Sequence, residues 1–353
     1  MGAIFIIIGF GLVTLFSLSG VSAYPFFWRQ LIWVGGGVFL LAAASMVDFR
    51  IFRTRSGAII FFYMLSVVLL VSVLLMSFKV RGVESWLNIA GVTIQPVEIA
   101  KLALVLLLAK FFSKRHIEIY RVQHLAVSGF YVLIPSILVL MQPDLGSALV
   151  LFAIWFAIVI FSGMKLRHFI LLLVLVASIS LVGWEWGLHE YQKSRITSFL
   201  NPYIDPRGAG YQMIQSMIAV GSGQVWGKGM GYGSQSHLNF LPEAEADFIF
   251  AAWAEEWGFI GSTVMIGLFF LIVWRIVDIG RHSADNFSRL YTLGLAALIS
   301  AQSFLHIGAN MGILPITGIT LPFASYGGSS LIVLMIGVGV LQNIKINARR
   351  RVE

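Results

Sequence analysis

The sequence predicts an all-α, polytopic membrane protein, on the basis of its composition and its hydrophobic pattern. Of its 353 residues, 58% are hydrophobic and only 11% are charged, whereas about a quarter of the residues of a soluble domain are charged. The mean hydropathy is +0.89. The apolar residues fall into about ten runs long enough to cross a bilayer as helices. We therefore expect residues 1–353 to form one transmembrane domain.

Ten predicted spans account for most of the chain. They lie near residues 2–20, 27–47, 57–77, 96–112, 124–141, 145–162, 168–188, 248–275, 289–311 and 321–343. An even number of spans places both termini on the same side of the membrane. The polar run of residues 184–247 then forms one large loop between the seventh and eighth spans.

The distribution of basic residues predicts which side is cytoplasmic. Counted over alternating loops, sixteen Lys and Arg residues lie on the side of the termini and seven on the other, with Lys101 inside a span. Cytoplasmic loops carry the excess of Lys and Arg. Both termini are therefore predicted to be cytoplasmic, and the 184–247 loop is predicted to be extracytoplasmic. Topology also explains the excess of 24 basic over 16 acidic residues, so no nucleic-acid partner is predicted.

Other features of the composition exclude some chemistries. The chain has no cysteine, which excludes disulfides, thiolate metal sites and cysteine nucleophiles. No cleavable signal peptide is predicted, because no small-residue cleavage pattern follows the first apolar run. Most acids lie on or near the outer side, which fits an outward-facing polar cavity but also fits acids that merely avoid cytoplasmic loops. These acids are Glu84, Glu98, Asp144, Glu185, Glu190, Asp205, Glu243, Glu245, Asp247, Glu255 and Glu256.

The fourth predicted span opens with two charged residues. Pro96 suits the first helical turn and Glu98 is favoured there by the helix dipole. Lys101 follows three residues later on the same face. Charges in a bilayer are costly unless they are paired or hydrated. Two hypotheses therefore stay open: a structural Glu98–Lys101 pair that neutralises itself, or a cation at the wall of a polar cavity that binds an anionic substrate.

Two further polar stretches have local structural explanations. Asp144 lies in the turn between the fifth and sixth spans and is predicted to cap the sixth helix. The glycine and serine pairs of residues 315–330 either let helices approach closely or break a helix where it lines a cavity. Ser325 in this stretch is a candidate substrate-binding residue.

The first two parts of the large loop offer polar side chains to a ligand. The first part is rich in turns and contains Arg195, whose forked guanidinium suits phosphate or carboxylate. The second part, Tyr211–Ile218, predicts a short amphipathic helix at the membrane surface. Its polar side carries Gln212, Gln215 and Ser216.

The third part of the loop is a glycine-rich run at residues 221–233. It superficially resembles a phosphate loop. However, Gly229 follows Lys228 where that motif requires Ser or Thr, and no strand is predicted before it. Nucleotide binding is therefore rejected.

The loop ends in three acids, Glu243, Glu245 and Asp247, directly before apolar sequence. Neighbouring acids and a dry flank raise carboxylate pKa values, which suits a general base. The structural alternative for Asp247 is the N-cap of the eighth helix, and the two roles are compatible. Of Glu255 and Glu256 in that helix, one is expected to face the bundle interior.

At these residues the sequence resembles the SEDS (shape, elongation, division, sporulation) family over essentially its whole length. The motifs that carry the resemblance are Gln95–Lys101, Gln142–Ser147, Asn201-Pro202 with Gly210–Gln212, Gly227–Gly229, Leu241–Glu243 with Asp247–Ala251, and Ser325–Ser330. Each motif is weak alone, but together and in this order they are highly specific. The stretch Ser234–Leu238 is more similar to the elongation branch of the family than to its division branch.

The resemblance implies a peptidoglycan glycosyltransferase that polymerises lipid II into glycan strands outside the bacterial cytoplasmic membrane. It also implies a class B penicillin-binding protein as the partner that crosslinks the product. The family's essential loop aspartate corresponds to Asp247, and its polar fourth-span pair corresponds to Glu98 and Lys101. One departure is that Glu245-Ala246 stands where the family pattern has His-Thr before the aspartate.

The implied reaction needs one general base. A sugar hydroxyl of one lipid-linked unit attacks the anomeric carbon of another, and undecaprenyl pyrophosphate leaves. An α donor gives a β product, which indicates a single inverting displacement. Pyrophosphate is a good leaving group, so no second carboxylate is required to protonate it, and Asp247 is the predicted base. Lys101 and Arg195 are predicted to hold the pyrophosphate.

Further substrate contacts and a cofactor are less defined by the sequence. The additional candidate substrate-binding residues are Glu98, Gln212, Gln215, Ser216, Glu243 and Ser325. A divalent cation, Mg²⁺ or Mn²⁺, that bridges acids and pyrophosphate is compatible with the reaction, but no sequence pattern indicates one.

Three alternatives compete with the elongation-type polymerase. A lipid II flippase also fits intramembrane charges, but it needs polar residues through the full depth of the membrane, whereas here they crowd the outer half. A scaffold for a synthase partner leaves the outward acids unexplained. A division-branch polymerase differs only in the short Ser234–Leu238 stretch.

Overall fold

The computed structural model describes residues 1–20, 25–47, 56–76, 78–80, 83–89, 92–113, 122–164, 167, 170, 174, 193, 197–206, 208–283 and 285–349. It confirms the all-helical polytopic architecture, and seven helices of the described residues are long and apolar enough to cross a membrane. The helices are α1 (Gly2–Ser19), α2 (Phe26–Met46), α3 (Ser56–Met76), α4 (Pro96–Ser113), α5 (Val122–Met141), α6 (Leu145–Phe161), α7 (Ala209–Ser222), α8 (Ser234–His237), α9 (Ile249–Arg281), α10 (Asn286–Asn310) and α11 (Gly328–Arg349).

Nine of the ten predicted spans coincide with helices, and the seventh, at 168–188, lies almost wholly outside the described residues. The last span is displaced, because α11 begins at Gly328 and not at residue 321. The Leu321 N–H donates to Ser325 Oγ at 2.8 Å and the Tyr326 N–H donates to the Glu245 carbonyl at 2.9 Å. Phe323 has a left-handed φ of 65°, and the Tyr326 N–H is bonded to Glu245 instead of to a carbonyl four residues earlier, so no continuous helix runs from residue 321.

A small sheet between α3 and α4 was not predicted. β1 (Phe78–Val80), β2 (Val83–Ile89) and β3 (Val92–Ile94) form an antiparallel sheet in the order β1-β2-β3. Two residues connect each pair of strands, and each connection contains a glycine, which is the spacing of a tight hairpin. This signal was present in the sequence and was overlooked beside the long apolar runs.

Helix α4 lies at the centre of the bundle. Fifteen of its 18 residues are buried, and it packs against α3, α6, α10 and α11. A helix in this position keeps its charged side chains among other helices and away from lipid, where they would be costly. The fold therefore places Glu98 and Lys101 inside the protein.

Helix α9 is broken at Gly258, whose φ of 66° and ψ of −162° are not helical. The glycine-rich run supplies the hydrogen bonds that the break removes. The Glu255 and Glu256 carbonyls accept from the N–H groups of Lys228 and Gly229, both at 3.0 Å. On the other side of the break, the Phe259 N–H donates to the Gln224 carbonyl at 2.8 Å. Irregular backbone is tolerated in a membrane protein when neighbouring segments satisfy it in this way.

The two halves of α9 do not form one straight helix, because Gly258 between them is non-helical. A Cβ placed on Gly261, in the second half, would lie 3.3 Å from Trp253 Nε1 in the first half. Residues 259–281 are 23 in number and extend about 34 Å, enough to cross the apolar core of about 30 Å. Residues 249–257 extend only about 14 Å. The prediction that residues 248–275 form one span is therefore wrong for its first ten residues.

The short half-helix runs beside α1. The Trp253 ring stacks on Phe10, near the middle of α1, with centroids 4.5 Å apart. Glu256 accepts a hydrogen bond from Ser17, near the end of α1. Residues 249–257 thus rise from the middle of α1 toward its end, turn at Gly258 and descend as a span. Asp247 precedes this half-helix, so it lies at the inner end of a re-entrant segment rather than at the mouth of a span.

Candidate active site

Asp247 lies at the end of a tight turn before α9. The carbonyl of Glu243, a residue with a left-handed φ of 53°, accepts from the N–H groups of Ala246, Asp247 and Phe248 at 3.0, 3.1 and 3.3 Å. The N-cap residue of α9 is Phe248. The structural alternative for Asp247, the N-cap of this helix, is therefore not met, because the helix begins one residue later than a cap at 247 requires.

Asn310 holds the backbone around Asp247. Its Nδ2 donates to the Asp247 carbonyl at 2.9 Å, and its Oδ1 accepts from the Ala251 N–H at 3.0 Å. Asn310 is 1% exposed and ends α10. Asn310 was not among the predicted site residues. In the sequence it is a polar residue near the end of an apolar run, and this pattern does not reveal partners some 60 residues away.

The segment that precedes α11 holds the same turn from another side. Ser325 Oγ donates to the Ala246 carbonyl at 2.7 Å and accepts from Leu321 N–H. Gly318 has a left-handed φ of 71°, and a Cβ on it would lie 3.7 Å from Asp247 Oδ2. The Asp247 carboxylate therefore faces the backbone at Gly318. Ser325, a predicted substrate contact, is 4% exposed and its hydroxyl holds this turn.

The Glu98–Lys101 pair is present as predicted. Lys101 Nζ lies 2.8 Å from Glu98 Oε1, and the two side chains are 0% and 4% exposed. Within the described part of the chain, Glu98 is the one hydrogen-bond partner of the Lys101 ammonium. An ammonium has three donors, so Lys101 retains capacity for an anionic ligand. Glu98 Oε2 makes a long 3.5 Å contact with Gln302 Nε2 on α10.

Asp144 lies close to this pair. Its carboxylate accepts from Ser147 N–H at 2.9 Å and caps α6, which confirms the prediction. Burial raises the pKa of Asp144, while the nearby Lys101 ammonium lowers it and the Glu98 carboxylate raises it further. The structure thus brings Glu98, Lys101 and Asp144 together, although they come from two different motifs.

Residues 317–319 lie between these charges and Asp247. A Cβ placed on Gly146, two residues after Asp144, would lie 2.8 Å from the Thr317 carbonyl and 2.7 Å from Ile319 Cγ2. Gly318, between those two residues, faces Asp247. One short segment therefore contacts both the start of α6 and the predicted base.

The predicted amphipathic helix forms as α7, but its faces differ from the prediction. Ser216 is fully buried and donates to the Asn310 carbonyl at 2.8 Å, whereas Ile218 is 44% exposed. Gln212 and Gln215 are half-buried. Because α7 packs on α9 and α10, its small serine faces the protein and fastens the two elements together. The hydroxyl of Ser216, a predicted substrate contact, therefore joins α7 to α10 in the structure.

Glu255 and Glu256 are both buried, and they organise the loop. Glu255 accepts from Lys228 Nζ at 2.8 Å and from the N–H groups of Gln235 and Ser236 at 2.9 and 3.1 Å. Glu256 Oε1 accepts from Gly231 N–H and lies 3.0 Å from His237 Nε2. One of these acids was expected to face the bundle interior, whereas both are buried and both lie where the loop closes over the break in α9.

Three predictions about the site stay open. Arg195 lies outside the described residues. Glu243 is half-buried, and its backbone forms the turn described above. Over the described ranges, no three His, Asp or Glu side chains are grouped closely enough to hold a metal ion by themselves, and the predicted cation bridging acids and pyrophosphate stays a prediction.

Comparisons with known proteins place the whole chain in one family. It matches the FtsW/RodA/SpoVE model, described as cell cycle protein, over residues 1–350. It is 37% identical over 349 residues to stage V sporulation protein E of Bacillus subtilis, covering 96% of this chain and 94% of the relative. It is 35% identical over 316 residues to peptidoglycan glycosyltransferase MrdB of Escherichia coli K12, covering 90% and 84%. It is 38% identical over 335 residues to probable peptidoglycan glycosyltransferase FtsW of Coxiella burnetii, covering 91% and 87%.

Solved structures agree with the sequence relatives. One, from work on how a peptidoglycan synthase complex coordinates polymerization and crosslinking, superposes with a TM-score of 0.81 at 31% identity and covers 98% of this chain and 97% of that one. The rod shape determining protein RodA of Thermus thermophilus superposes with a TM-score of 0.73 at 29% identity, covering 98% and 95%. The SEDS resemblance is confirmed, and the chain belongs to the FtsW/RodA/SpoVE family of multi-pass membrane proteins.

Proposed function

We propose that this chain is a peptidoglycan glycosyltransferase that polymerises lipid II into glycan strands on the outer face of the cytoplasmic membrane. The relatives named as peptidoglycan glycosyltransferases support this activity. The observation that carries it in this chain is the placement of Asp247. Its backbone is fixed by Asn310 and by Ser325 through the adjacent Ala246, and its carboxylate faces Gly318 at the inner end of a re-entrant segment.

Asp247 is the proposed general base. Its carboxylate takes the proton from the acceptor sugar hydroxyl, and the oxygen lone pair forms the new bond to the anomeric carbon of the donor. The bond between that carbon and the pyrophosphate oxygen breaks, and its electron pair leaves with undecaprenyl pyrophosphate. A fixed base contributes about 10²–10⁴ in rate. The fastened backbone holds the carboxylate in one place, and a displaced base loses part of this contribution.

Lys101 is the proposed cation for the pyrophosphate. It is fully buried, and among the described residues it donates one hydrogen bond, to Glu98. The carboxyl of Asp144 lies near it. Glu98 keeps the buried ammonium from being an isolated charge, while the remaining donors are directed to ligand oxygens. Arg195 stays a second candidate for this role on sequence grounds.

A divalent cation, Mg²⁺ or Mn²⁺, that bridges acids and the pyrophosphate is also compatible with these proton and electron transfers. Because the described residues offer no set of three acidic or histidine ligands, a bound Mg²⁺ would take most of its ligands from pyrophosphate and water. We therefore propose that Lys101 supplies the positive charge from the protein.

Charged residues at one end of the bundle support a proposed orientation in the membrane. Burial and the positive charges of Lys345 and Arg275 lower the pKa of the Met1 ammonium, so these three residues lie near one another. Basic residues collect on the cytoplasmic side. We propose that both termini are cytoplasmic and that Asp247 is reached from outside.

The partner proposed is a class B penicillin-binding protein. A structure of a complex that couples polymerization to crosslinking superposes on 98% of this chain. We also propose the elongation branch, on the basis of Ser234–Leu238, although relatives named for division and sporulation match as well. Expression in a strain depleted of its elongation polymerase should restore rod shape. Rescue of a division-depleted strain instead would reverse this assignment.

The test of the activity uses purified full-length protein, alone and with its penicillin-binding partner, and labelled lipid II in detergent. Wild type should form glycan polymer, and Asp247→Asn should form none while retaining its elution volume and thermal unfolding midpoint. Asp278→Asn makes the same chemical change at an exposed site at the far end of α9 and should polymerise normally. Unchanged lipid II with wild type under both conditions would favour a transporter. Polymer from Asp247→Asn would remove the aspartate from the mechanism.

A further inference from the structure

Two buried acceptors on α10 are not used by the mechanism proposed above. Gln302 and His306 are 0% and 2% exposed and stand four residues apart, so they share one face of the helix. Gln302 Oε1 and His306 Nε2 are both buried and have no hydrogen-bond partner among the residues that the structure describes. A buried polar atom without a partner costs about 1–3 kcal/mol, so native proteins rarely keep one without a reason.

The hydrogen bonds of the two side chains define what they can bind. His306 Nδ1 lies 2.8 Å from the Ile319 carbonyl, and a carbonyl only accepts, so Nδ1 carries the proton. In the neutral ring, Nε2 is then an acceptor. Gln302 turns its Nε2 amide toward the Glu98 carboxylate, which leaves Oε1 as an acceptor. Both atoms therefore require a donor, either a hydroxyl or an N–H.

The two acceptors lie between the groups already assigned to the reaction. Gln302 contacts Glu98, the partner of Lys101. His306 bonds to Ile319, next to the Gly318 that faces Asp247. Thr317 Oγ1, on the same segment, is a third buried atom with no partner in the described structure. Unsatisfied polar atoms thus follow the line from the proposed cation to the proposed base.

We infer that Gln302 and His306 contact the substrate, each accepting a hydrogen bond from a hydroxyl or acetamido N–H of the lipid-linked amino sugar. This inference rests on the proposed glycosyltransferase activity and adds a specificity element to it. Lys101 offers donors to anionic oxygens, whereas Gln302 Oε1 and His306 Nε2 on α10 offer acceptors. A ligand that places its phosphates at Lys101 and its sugar donors along α10 satisfies both sets, and its reacting hydroxyl then lies toward Asp247.

Ordered water can supply the same donors, and two substitutions at one position distinguish the two occupants. His306→Asn keeps a donor near the place of Nδ1, and hence the bond to Ile319, but removes the Nε2 acceptor. His306→Gln places an amide near the Nε2 position and keeps an acceptor there, but loses the bond to Ile319. A substrate contact makes Asn the worse variant, and a purely structural histidine makes Gln the worse variant.

The experiment measures kcat and KM for lipid II in detergent polymerisation, with the full-length protein and its partner. We expect His306→Asn to raise KM about tenfold, the loss of roughly one hydrogen bond, and His306→Gln to raise it about threefold or less. Gln302→Met, similar in volume, should also raise KM about tenfold. His282→Asn makes the matched change at a histidine whose side chain is 77% exposed and should match wild type.

Binding without turnover gives a second readout. In the Asp247→Asn background, His306→Asn should weaken lipid II affinity by a similar factor of about ten. Wild-type KM and affinity in His306→Asn would overturn the inference, because the acceptor then meets only water. A larger defect in His306→Gln than in His306→Asn would overturn it as well. A wild-type protein that forms no polymer at all would instead overturn the proposed function.

Discussion

Two glutamate–lysine pairs in this protein have the same separation but different surroundings, and in both the carboxylate is buried. Glu98 and Lys101 lie 2.8 Å apart, as do Glu255 and Lys228. Around Glu255, two backbone N–H groups and the hydroxyl of Ser236 also donate within 3.1 Å. Around Glu98, the one further donor among the described residues is the amide of Gln302 at 3.5 Å.

The difference shows how a structural buried acid can be told from one with capacity for a ligand. A buried carboxylate needs several donors to offset its desolvation. Glu255 has them from its own loop, so its role is complete without substrate. The pair at Glu98 and Lys101 has few, and the unpartnered Gln302 Oε1 lies beside it. Distance alone does not separate the two sites, whereas the number of donors does.

The largest effect on stability is expected for Glu255→Gln, which tests whether Glu255 is a structural acid. The change removes the charge opposite Lys228 and leaves several loop donors without a full acceptor. Lys228 is 28% exposed and can be hydrated, but a buried donor left without a full acceptor costs about 1–3 kcal/mol, so the free energy of unfolding should fall by that order. Thermal unfolding in detergent and the yield of monodisperse protein measure it. Near-wild-type stability would mean that the glycine-rich run closes over α9 without this carboxylate.

A double variant that neutralises both Glu98 and Lys101 tests the comparison through activity. Glu98→Gln with Lys101→Met removes both charges of the unsaturated pair, and such replacements are often neutral for stability. Stability should stay within about 1 kcal/mol of wild type, while the polymerisation rate should fall about 100-fold or more through loss of the phosphate-binding charge.

The matched control for this double variant is Glu255→Gln with Lys228→Met. It neutralises a pair of equal length, but we expect it to lose stability, because the loop donors keep no carboxylate. If the two double variants lost stability equally, or if the first stayed active, the number of hydrogen-bond donors around each glutamate would not distinguish the two sites.

The sequence was sufficient for most of the fold and for singling out Asp247 as the candidate base. Nine spans were predicted because long apolar runs admit few alternatives in a bilayer. Asp247 was identified because an acid beside apolar sequence is costly and therefore informative. The break in α9 was not predictable in the same way. Gly258 resembles any glycine of an apolar run, and its broken hydrogen bonds are satisfied by residues about 30 positions earlier.

The contacts around the site were harder to predict than its members. Ser216 and Ser325 were expected to face substrate, since hydroxyls on polar stretches are common ligands. In the structure each donates to a backbone carbonyl of another element. Asn310 and His306 were missed for the same reason, because their partners lie in distant loops. Tertiary hydrogen bonds of this kind leave no periodic signal in a sequence.

The smallest expected effect concerns Asp144, which lies near the unsaturated pair. Burial raises the pKa of this carboxyl in the folded protein, so the folded state binds its proton more tightly than the unfolded state does. That preference stabilises the fold below the ordinary Asp pKa of about 3.9 and is lost as the pH rises through the folded-state pKa. Asparagine caps helices as well as aspartate does and carries no charge.

Asp144→Asn should therefore unfold about 2 °C above wild type at pH 7, the size of a small stability change in a chain of this length. The difference should shrink as the pH falls toward 4, where aspartate itself becomes protonated. Unfolding midpoints in one detergent across this pH range measure both features. A variant that is less stable at pH 7 would show that the attraction of Asp144 to Lys101 outweighs its desolvation. Asp144 would then count as a second carboxylate partner of Lys101, and the pair with Glu98 would be less short of partners than its hydrogen bonds indicate.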